Sequence, residues 1–208
     1  MEKLIFLDID GVLNSLGFFK SRTYQKRKNN HDMSSMINHY NLFWVSLLCR
    51  ITKSKVVLSS TWKFGWNEDG SVKTVKGHNM HKTNELFKKH GINIISKTSV
   101  GELGLLGKWE MDEDAIKAWC NHVRAPGLES CSQREWVLKY CRGTQIADWM
   151  ENNHYNGKYI IIDDDYQDIV FYKDFAKRVV ITSYYGTFGG FGFRHFIKGL
   201  YLLWKRKY

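Results

Sequence analysis

The sequence predicts an α/β protein whose parallel sheet is flanked by helices, and two observations support this prediction. Short apolar runs with the length of buried strands alternate with longer segments in which apolar residues recur at helical spacing. Two of these runs, residues 4–7 and 159–162, continue directly into aspartates. Parallel sheets gather ligands beyond the carboxyl ends of their strands, so acids at two such ends indicate a functional edge.

Length and composition limit the class of protein. A chain of 208 residues with 43% apolar content suits one domain with a small addition. No run of about 18 uncharged apolar residues occurs, and the opening residues lack the layout of a signal peptide, so we expect a soluble, cytoplasmic protein without a membrane partner. The four cysteines form no CxxC pair, which argues against a zinc site and against a secreted disulfide framework.

The charge is strongly basic. A formal net charge of +10 raises the local concentration of partners that carry phosphate, and it favours a nucleic acid over a small phosphate compound. The alternative is a generally basic surface, because the excess cations are spread over several segments. The sequence therefore predicts a phosphorylated partner, either a nucleic acid or a nucleotide.

The first predicted strand leads into the pair of acids around which the chain is organised. Asp8 and Asp10 stand two positions apart, so in extended backbone their side chains point the same way, and Gly11 then lets the chain turn. Carboxylates this close repel each other unless a divalent cation or a proton offsets their charge. With Mg²⁺ bound, Asp8 would attack phosphorus, while Asp10 would protonate the leaving oxygen and later activate water. The alternative is an acidic, solvated turn.

Two segments combine aromatic residues with basic or polar ones. Residues 15–30 show no clear period, which indicates a loop or short helix beside the acids; its cations and rings would either follow a nucleic-acid backbone or lie in solvent. Residues 64–80 form a polar, glycine-bearing excursion near the same edge. Trp62, Phe64 and Trp66 would offer stacking surfaces there, although Trp66 would equally close the core.

A second strand is predicted to follow a helix. Residues 38–51 carry apolar side chains at helical spacing, and residues 55–58 form the apolar run of a buried strand. Ser59, Ser60 and Lys63 come next. The two hydroxyls and the ammonium group would bind phosphate oxygens, whereas the bland alternative for the serines is to cap a helix.

The alternation of elements continues and is then interrupted. Residues 81–90 predict a helix that Gly91 ends, and residues 92–95 predict a third strand. From residue 99 to residue 140 the rhythm is lost, and we interpret residues 99–140 as an insertion or small cap within a single domain of residues 1–208.

A cation beyond the insertion would complete the phosphate site. Arg142 stands at the head of a predicted helix that covers the sheet, and its guanidinium would pair with phosphate oxygens. Lys139 is a rival for this role. The alternative for Arg142 is an exposed arginine near the start of a helix.

The fourth predicted strand, residues 159–162, supplies the second set of acids. Asp163, Asp164 and Asp168 follow it, and carboxylate oxygens are the ligands that a hard cation such as Mg²⁺ prefers. Residues 178–182 predict a fifth strand, and the apolar and basic residues 196–207 predict a terminal helix that packs on the domain, with binding to a membrane surface as the alternative. No GxxxxGK[ST] loop occurs, so nucleotide-dependent kinase activity has no visible phosphate cradle.

Taken in chain order, these motifs resemble a known series. DIDGVLN, VVLSSTWK, an arginine at a helix head and YIIIDDD are similar to the motifs of the haloacid dehalogenase superfamily of Mg²⁺-dependent phosphotransferases. Within it, the chain resembles the phosphatase domains associated with RNA repair proteins, which carry a similar DxDGVLN, LSSxW, RGxEIxxWL and hhhDDD series. The motifs span residues 4–168. The resemblance implies a Rossmann-like sheet flanked by helices, with a small cap.

The resemblance also implies catalytic and metal-binding roles. Asp8 would be the nucleophile and Asp10 the general acid and base. Asp164 would be the principal Mg²⁺ ligand, beside Asp8 and the backbone carbonyl of Asp10. Asp163 and Asp168 would support it.

Phosphate binding is implied for two further positions. Ser59 would bind phosphate, next to Ser60 and Lys63, and Arg142 would take the place of the family's motif-three cation. The sequence departs from the RNA-repair branch in CRGTQIADWM, which has uncharged residues where that branch favours acids, and in the length of the insertion. Both departures concern the choice of substrate rather than the chemistry.

Three functions are consistent with the sequence. The first is a Mg²⁺-dependent phosphomonoesterase that acts through an aspartyl-phosphate on nucleic-acid ends, with a 3′- or 5′-phosphate, or on nucleotides. The second is a phosphatase of small nucleotides or related metabolites. The third, of another class, is a nucleic-acid-binding protein without turnover, and the presence of both key aspartates, Asp8 and Asp10, argues against it.

Overall fold

The fold alternates strands and helices, as the computed structural model shows for residues 2–28, 32–73, 80–99, 112–122, 140–169, 172–186 and 188–205. The strands are β1 (Lys3–Leu7), β2 (Ser54–Leu58), β3 (Ile94–Lys97), β4 (Lys158–Asp163) and β5 (Val179–Ile181). The helices are α1 (Leu16–Phe19), α2 (Arg22–Arg27), α3 (His39–Thr52), α4 (Met80–Lys89), α5 (Glu113–His122), α6 (Arg142–Asn152), α7 (Lys173–Ala176) and α8 (Phe193–Trp204), and 3₁₀ helices occupy Met33–Met36 and Thr61–Gly65.

The chain divides into two compact units. The first unit comprises Met1–Lys97, Gly157–Asp164 and Val180–Tyr208, and it contains β1 to β4 together with α1 to α4 and α8. The second unit comprises Thr98–Asn156 and Asp165–Val179, with α5, α6 and α7. The predicted insertion at residues 99–140 belongs to the second unit, and most of it, including Lys139, lies outside the described residues.

The five strands form one sheet in the order β3-β2-β1-β4-β5. The pairings of β1 with β2, of β1 with β4 and of β2 with β3 are all parallel. Leu7 at the end of β1 is in register with Leu58 of β2 on one side and with Ile162 of β4 on the other. The residues that follow these three therefore fall in one row at the carboxyl edge. The predicted α/β class with a parallel sheet is confirmed.

The sheet of the first unit is covered by apolar helix faces. Leu42, Val45 and Leu48 of α3 are buried in the same cluster as the sheet residues Ile5 and Ile160. The terminal helix α8 begins at Phe193 rather than at the predicted residue 196, and its apolar residues join this core. Gly199 lets α8 approach α3 closely, since a Cβ there would lie 2.8 Å from Leu48 Cδ2.

The region around β3 settles the position of Trp66 and shifts the start of the third strand. Trp66 is fully buried and stacks on Phe87 of α4, so it closes the core and offers no stacking surface. Strand β3 begins at Ile94, two residues later than predicted. The reason is that Ile92 N–H donates to the carbonyl of Phe87, so Ile92 belongs to the helix end that Gly91 forms with its φ of 74°.

The two cysteines whose positions the structure describes have the environment of structural residues. Cys49 and Cys141 are free and buried, and burial raises the pKa of the Cys49 thiol to about 12. A thiol with so high a pKa is a weak nucleophile at neutral pH.

Within the described part of the chain, no helix combines the length and the apolar character that a membrane span requires.

Candidate active site

The carboxyl edge of three neighbouring strands holds one polar residue from each. Asp8 and Ser59 directly follow β1 and β2, and Asp163 is the last residue of β4. Asp8 N–H donates to the carbonyl of Ile162 at 2.9 Å, and Ser59 N–H donates to the carbonyl of Leu7 at 2.9 Å. These bonds extend the ladder by one residue, so the parallel register fixes the backbone positions of the row.

Three acids converge at this edge of the first unit. Asp8, Asp163 and Asp164 each offer one carboxylate oxygen, and these oxygens lie within 4.8 Å of one another. Asp8 and Asp163 are buried, so little water screens their charges. A cluster of hard, anionic oxygen ligands suits a divalent cation such as Mg²⁺, which would balance the repulsion. Of the predicted metal ligands, the structure thus brings these three together.

The turn between the first strand and α1 is held by hydrogen bonds. Gly11 N–H donates to Asn14 Oδ1 at 3.0 Å, and Thr182 Oγ1 donates to the carbonyl of Gly11 at 2.8 Å. Thr182 N–H in turn donates to the carbonyl of Asp163 at 2.9 Å. Thr182 therefore connects the turn after the first motif to the strand that carries the last one.

Both oxygens of the Asp10 carboxylate have a donor. Asn14 Nδ2 donates to Asp10 Oδ1 at 2.8 Å, and Trp62 Nε1 donates to Asp10 Oδ2 at 3.0 Å. Trp62 is buried and so is not the open stacking surface that the sequence suggested as one alternative. The hydrogen bonds of Asn14 and Trp62 to Asp10 were not predicted from the sequence. Both residues belong to the quoted motifs, DIDGVLN and VVLSSTWK, and that membership was the signal that could have pointed to them.

The two serines after β2 have different environments. Ser60 Oγ accepts a hydrogen bond from Trp62 N–H at 3.4 Å and caps the 3₁₀ helix Thr61–Gly65. Ser59 Oγ is buried and has no hydrogen-bond partner within the described part of the chain. A buried hydroxyl without a partner destabilises the folded protein, and a bound phosphate oxygen would remove this cost by accepting the missing hydrogen bond. Lys63 lies in the same 3₁₀ helix with its side chain mostly buried.

The remaining predicted residues lie together in the second unit. Arg142 is the first residue of α6, and its Nε is 3.8 Å from Asp168 Oδ2, with both side chains mostly buried. Gly143 N–H also donates to the carbonyl of Asp168 at 2.9 Å. The second unit therefore pairs Arg142 with Asp168. Their roles toward phosphate and metal stay predictions.

Thr144, one of the uncharged residues of CRGTQIADWM, takes part in a buried network. Thr144 is fully buried, and its Oγ1 lies 2.9 Å from Cys141 Sγ and 3.0 Å from the hydroxyl of Tyr172. Cys141 Sγ also accepts from Thr144 N–H, which caps α6. Burial, as the main cause, raises the pKa of both Cys141 and Tyr172 well above their usual ranges. A neutral network thus stands at the head of α6.

Comparison with known proteins identifies the family of the chain. The chain matched no curated protein and no solved structure. A family model described as the HAD domain in Swiss Army Knife RNA repair proteins matches residues 4–186, a stretch that contains all four motifs. The resemblance that the sequence showed is confirmed. The chain belongs to the family of HAD domains found in Swiss Army Knife RNA repair proteins.

Proposed function

We propose that this protein is a Mg²⁺-dependent phosphomonoesterase that removes phosphate from the ends of RNA through an aspartyl-phosphate. The observation that carries this proposal is the convergence of Asp8, Asp163 and Asp164 at the carboxyl edge of a parallel sheet. Two of these acids come from different buried strands, so the fold itself assembles the cluster. Membership in a family of RNA repair domains supports the choice of RNA as substrate.

The acids would hold the metal and one of them would react. Asp8, Asp163 and Asp164 would bind Mg²⁺, which when bound would offset the negative charge shared by the phosphate and the carboxylates. A carboxylate oxygen of Asp8 would attack phosphorus, forming an aspartyl-phosphate as the bond to the leaving oxygen breaks. The rigid ladder position of Asp8 suits this role because it holds the attacking oxygen still.

Asp10 would move the protons. In the first step its carboxylic acid would donate a proton to the leaving oxygen of the substrate. In the second step its carboxylate would take a proton from the water that attacks the aspartyl-phosphate, releasing inorganic phosphate and regenerating Asp8. The bonds from Asn14 Nδ2 and Trp62 Nε1 would keep the Asp10 carboxyl aimed at the reacting oxygens.

Phosphate oxygens would be bound by the residues after β2. Ser59 Oγ has a hydrogen bond to give, since it is buried without a partner within the described residues. Backbone N–H groups of the turn around Ser60 and the ammonium group of Lys63 would add further donors. Arg142 would balance the charge of the aspartyl-phosphate, as the family series implies.

A panel of substrates tests the proposal. Wild-type protein is assayed for phosphate release from 3′- and 5′-phosphorylated RNA, nucleoside monophosphates, sugar phosphates and an aryl phosphate, with Mg²⁺ or with a chelator. We expect Mg²⁺-dependent release of phosphate from RNA ends. The release should fall steeply between about 50 and 200 mM salt, because the cations of the protein displace the counterions that surround the RNA. If the protein instead prefers mononucleotides and its activity changes little with salt, the substrate is a small nucleotide rather than RNA. If RNA binds but no phosphate is released from any substrate, the protein is a nucleic-acid-binding protein without turnover.

A further inference from the structure

A cavity of about 600 Å³ lies beside the first motif, within the first unit. Its walls come from residues 15–27, from the amino end of α3 and from the glycine-rich loop of residues 188–192. We propose that this cavity binds a nucleotide of single-stranded RNA, within the first few positions from the phosphorylated end that lies at Asp8. The proposal rests on the proposed function and adds a second contact point for the same strand.

The cavity wall is tied to the first motif by backbone hydrogen bonds. Phe191 N–H donates to the carbonyl of Val12 at 2.8 Å, and Leu16 N–H donates to the carbonyl of Tyr184 at 2.9 Å. Asn41 Nδ2, at the start of α3, donates to the carbonyl of Val12 as well, at 3.0 Å. The loop, α3 and the DIDGVLN segment therefore form one connected frame, so a ligand in the cavity has a fixed position relative to Asp10.

Glycines make this close packing feasible. Gly190 has a φ of 90°, and a Cβ there would lie 1.6 Å from Asn41 Nδ2. At Gly189 a Cβ would lie 2.7 Å from Ser15 Cβ. Side chains at either position would push the loop away from the first motif.

The separation from the catalytic acids suits a short strand. Ser15 lines the cavity and stands five residues after Asp10. Five residues span at most about 18 Å even when fully extended. Stacked nucleotides rise about 3.4 Å each along one strand, so this distance corresponds to at most about five nucleotides. A strand whose phosphorylated end lies beside Asp10, the proposed proton donor, would therefore reach the cavity within its first few positions.

The size and the rings of the cavity suit a nucleobase. A volume of about 600 Å³ is in the usual range for sites that enclose small organic groups. Phe188 lines the cavity with 98% of its surface exposed, and Tyr40 lines it with 59% exposed. Aromatic rings held open to solvent offer stacking faces, and every base has a π-face to place on them.

The charge around the cavity suits a phosphodiester backbone. Residues 15–28 contain five lysines and arginines and no acid. The one acid between residues 15 and 41 is Asp32, whose carboxylate accepts from Ser34 and pairs with Lys82 at 3.2 Å. The loop and α8, residues 183–205, contain no acid either. Apart from Asp32, which pairs with Lys82, these segments carry cations and no acid, which suits a phosphodiester backbone.

Removing the most exposed ring tests this assignment. In equilibrium binding without metal, an unphosphorylated RNA hexamer should bind the Phe188→Ala variant about 5- to 100-fold more weakly than wild type, as expected for the loss of one stacked base. Phe188 packs against little, so the variant should fold normally. The matched control is Tyr201→Ala, an exposed ring on α8 that does not line the cavity, and it should bind within about twofold of wild type.

A series of abasic strands locates the base. Each hexamer of the series lacks one base, and we expect one position at which base removal weakens binding to wild type but not to Phe188→Ala. That loss of additivity shows that ring and base contact each other. Wild-type affinity in Phe188→Ala, or additive losses at every position, would overturn the proposal.

Filling the cavity provides an independent variant. A Cβ at Gly192 would meet nothing nearer than the Tyr40 ring at 3.8 Å, so Gly192→Leu should fold while occupying the space meant for a base. We expect weaker binding of the hexamer and unchanged release of phosphate from an aryl phosphate. Unchanged hexamer binding would overturn the cavity assignment alone, whereas absence of release from every substrate by wild type would overturn the proposed function alone.

Discussion

The backbone of Gly11 lies against the carboxylate of Asp164. A Cβ placed on Gly11 would stand 2.2 Å from both Cγ and Oδ2 of Asp164, far inside any van der Waals contact. Gly11 also has a φ of 72°, which residues with a side chain rarely adopt. The turn of the first motif and the acid of the last motif thus share one small space, and only glycine permits it.

Replacement of Gly11 by alanine should weaken the metal site. The new methyl group must displace the Asp164 carboxylate, so we expect about 10- to 100-fold weaker Mg²⁺ affinity, together with roughly 1–2 kcal/mol of backbone strain. The measurement is the Mg²⁺ dependence of phosphate release, with thermal unfolding alongside. Gly186→Ala is the matched control, because Gly186 has a φ of 99° and open space around it, so it adds strain without a collision. Wild-type Mg²⁺ affinity in Gly11→Ala would contradict the expectation.

Loss of the indole donor should impair proton transfer by Asp10. In Trp62→Phe the bond from Trp62 Nε1 to Asp10 Oδ2 disappears. We expect kcat to fall about tenfold or more for an alkyl phosphate, whose leaving group needs a proton, and much less for a nitrophenyl phosphate, whose leaving group does not. Trp66→Phe is the control: it makes the same change in the core at an indole whose Nε1 has no hydrogen-bond partner in the described residues. Equal losses on the two substrates would count against the proton-transfer role.

The buried hydroxyl of Ser59 should matter for phosphate and not for folding. Ser59 Oγ has no partner within the described chain, so Ser59→Ala should unfold at the same temperature as wild type or slightly above it. A hydrogen bond to a charged phosphate is worth about 1.5–3 kcal/mol, so the inhibition constant of inorganic phosphate should rise about 10- to 100-fold. Thr83→Val removes another buried hydroxyl without a described partner and should leave that constant unchanged. Unaltered inhibition in Ser59→Ala would exclude Ser59 from the phosphate site.

Much of this site could be predicted from the sequence, because its acids lie at the ends of strands. A buried apolar run that stops at Asp8 and another that stops at Asp163 predict two strands with acids at their carboxyl ends, and parallel pairing then brings those ends together. The convergence needs no knowledge of the residues between them. It does require parallel strand direction, which the alternation of strands and helices predicts, and it requires β1 and β4 to be neighbours, which the structure shows.

Other features depend on side-chain directions that a sequence does not contain. Ser59 and Ser60 are chemically identical, and only the start of the 3₁₀ helix turns Ser60 to cap it while Ser59 stays buried. The bond from Trp62 to Asp10 requires the same short helix. The contact of Gly190 with Asn41 joins distant parts of the chain, so no local pattern signals it.

The pH dependence of stability should report on His195. Its Nδ1 accepts a hydrogen bond from Gly192 N–H at the start of α8, which requires a neutral ring. Burial chiefly, and Lys198 in addition, lower the pKa of His195 below its ordinary value of 6.5. The folded state therefore binds this proton more weakly than the unfolded state, so the stability that His195 contributes is present above pH 6.5 and is lost as the pH falls through the lowered pKa.

Chemical denaturation at pH 7.5 and pH 5 measures this effect. His39, whose pKa is also lowered, chiefly by burial, contributes with the same sign, so the comparison needs a variant. His195→Gln keeps an acceptor for the helix start but does not titrate. We expect a smaller loss of unfolding free energy between the two pH values in this variant than in wild type. Equal losses would show that His195 stays uncoupled from folding.

The proposed nucleophile is tested most directly by Asp8→Asn, which keeps the size of the side chain and removes its charge. The measurement is Mg²⁺-dependent phosphate release from an aryl phosphate and from phosphorylated RNA, with circular dichroism to establish folding and Asp174→Asn, an exposed acid, as control. We expect wild type and Asp174→Asn to release phosphate and the folded Asp8→Asn protein to fall below about one thousandth of their rate. Turnover by Asp8→Asn at a rate near that of wild type would contradict the account.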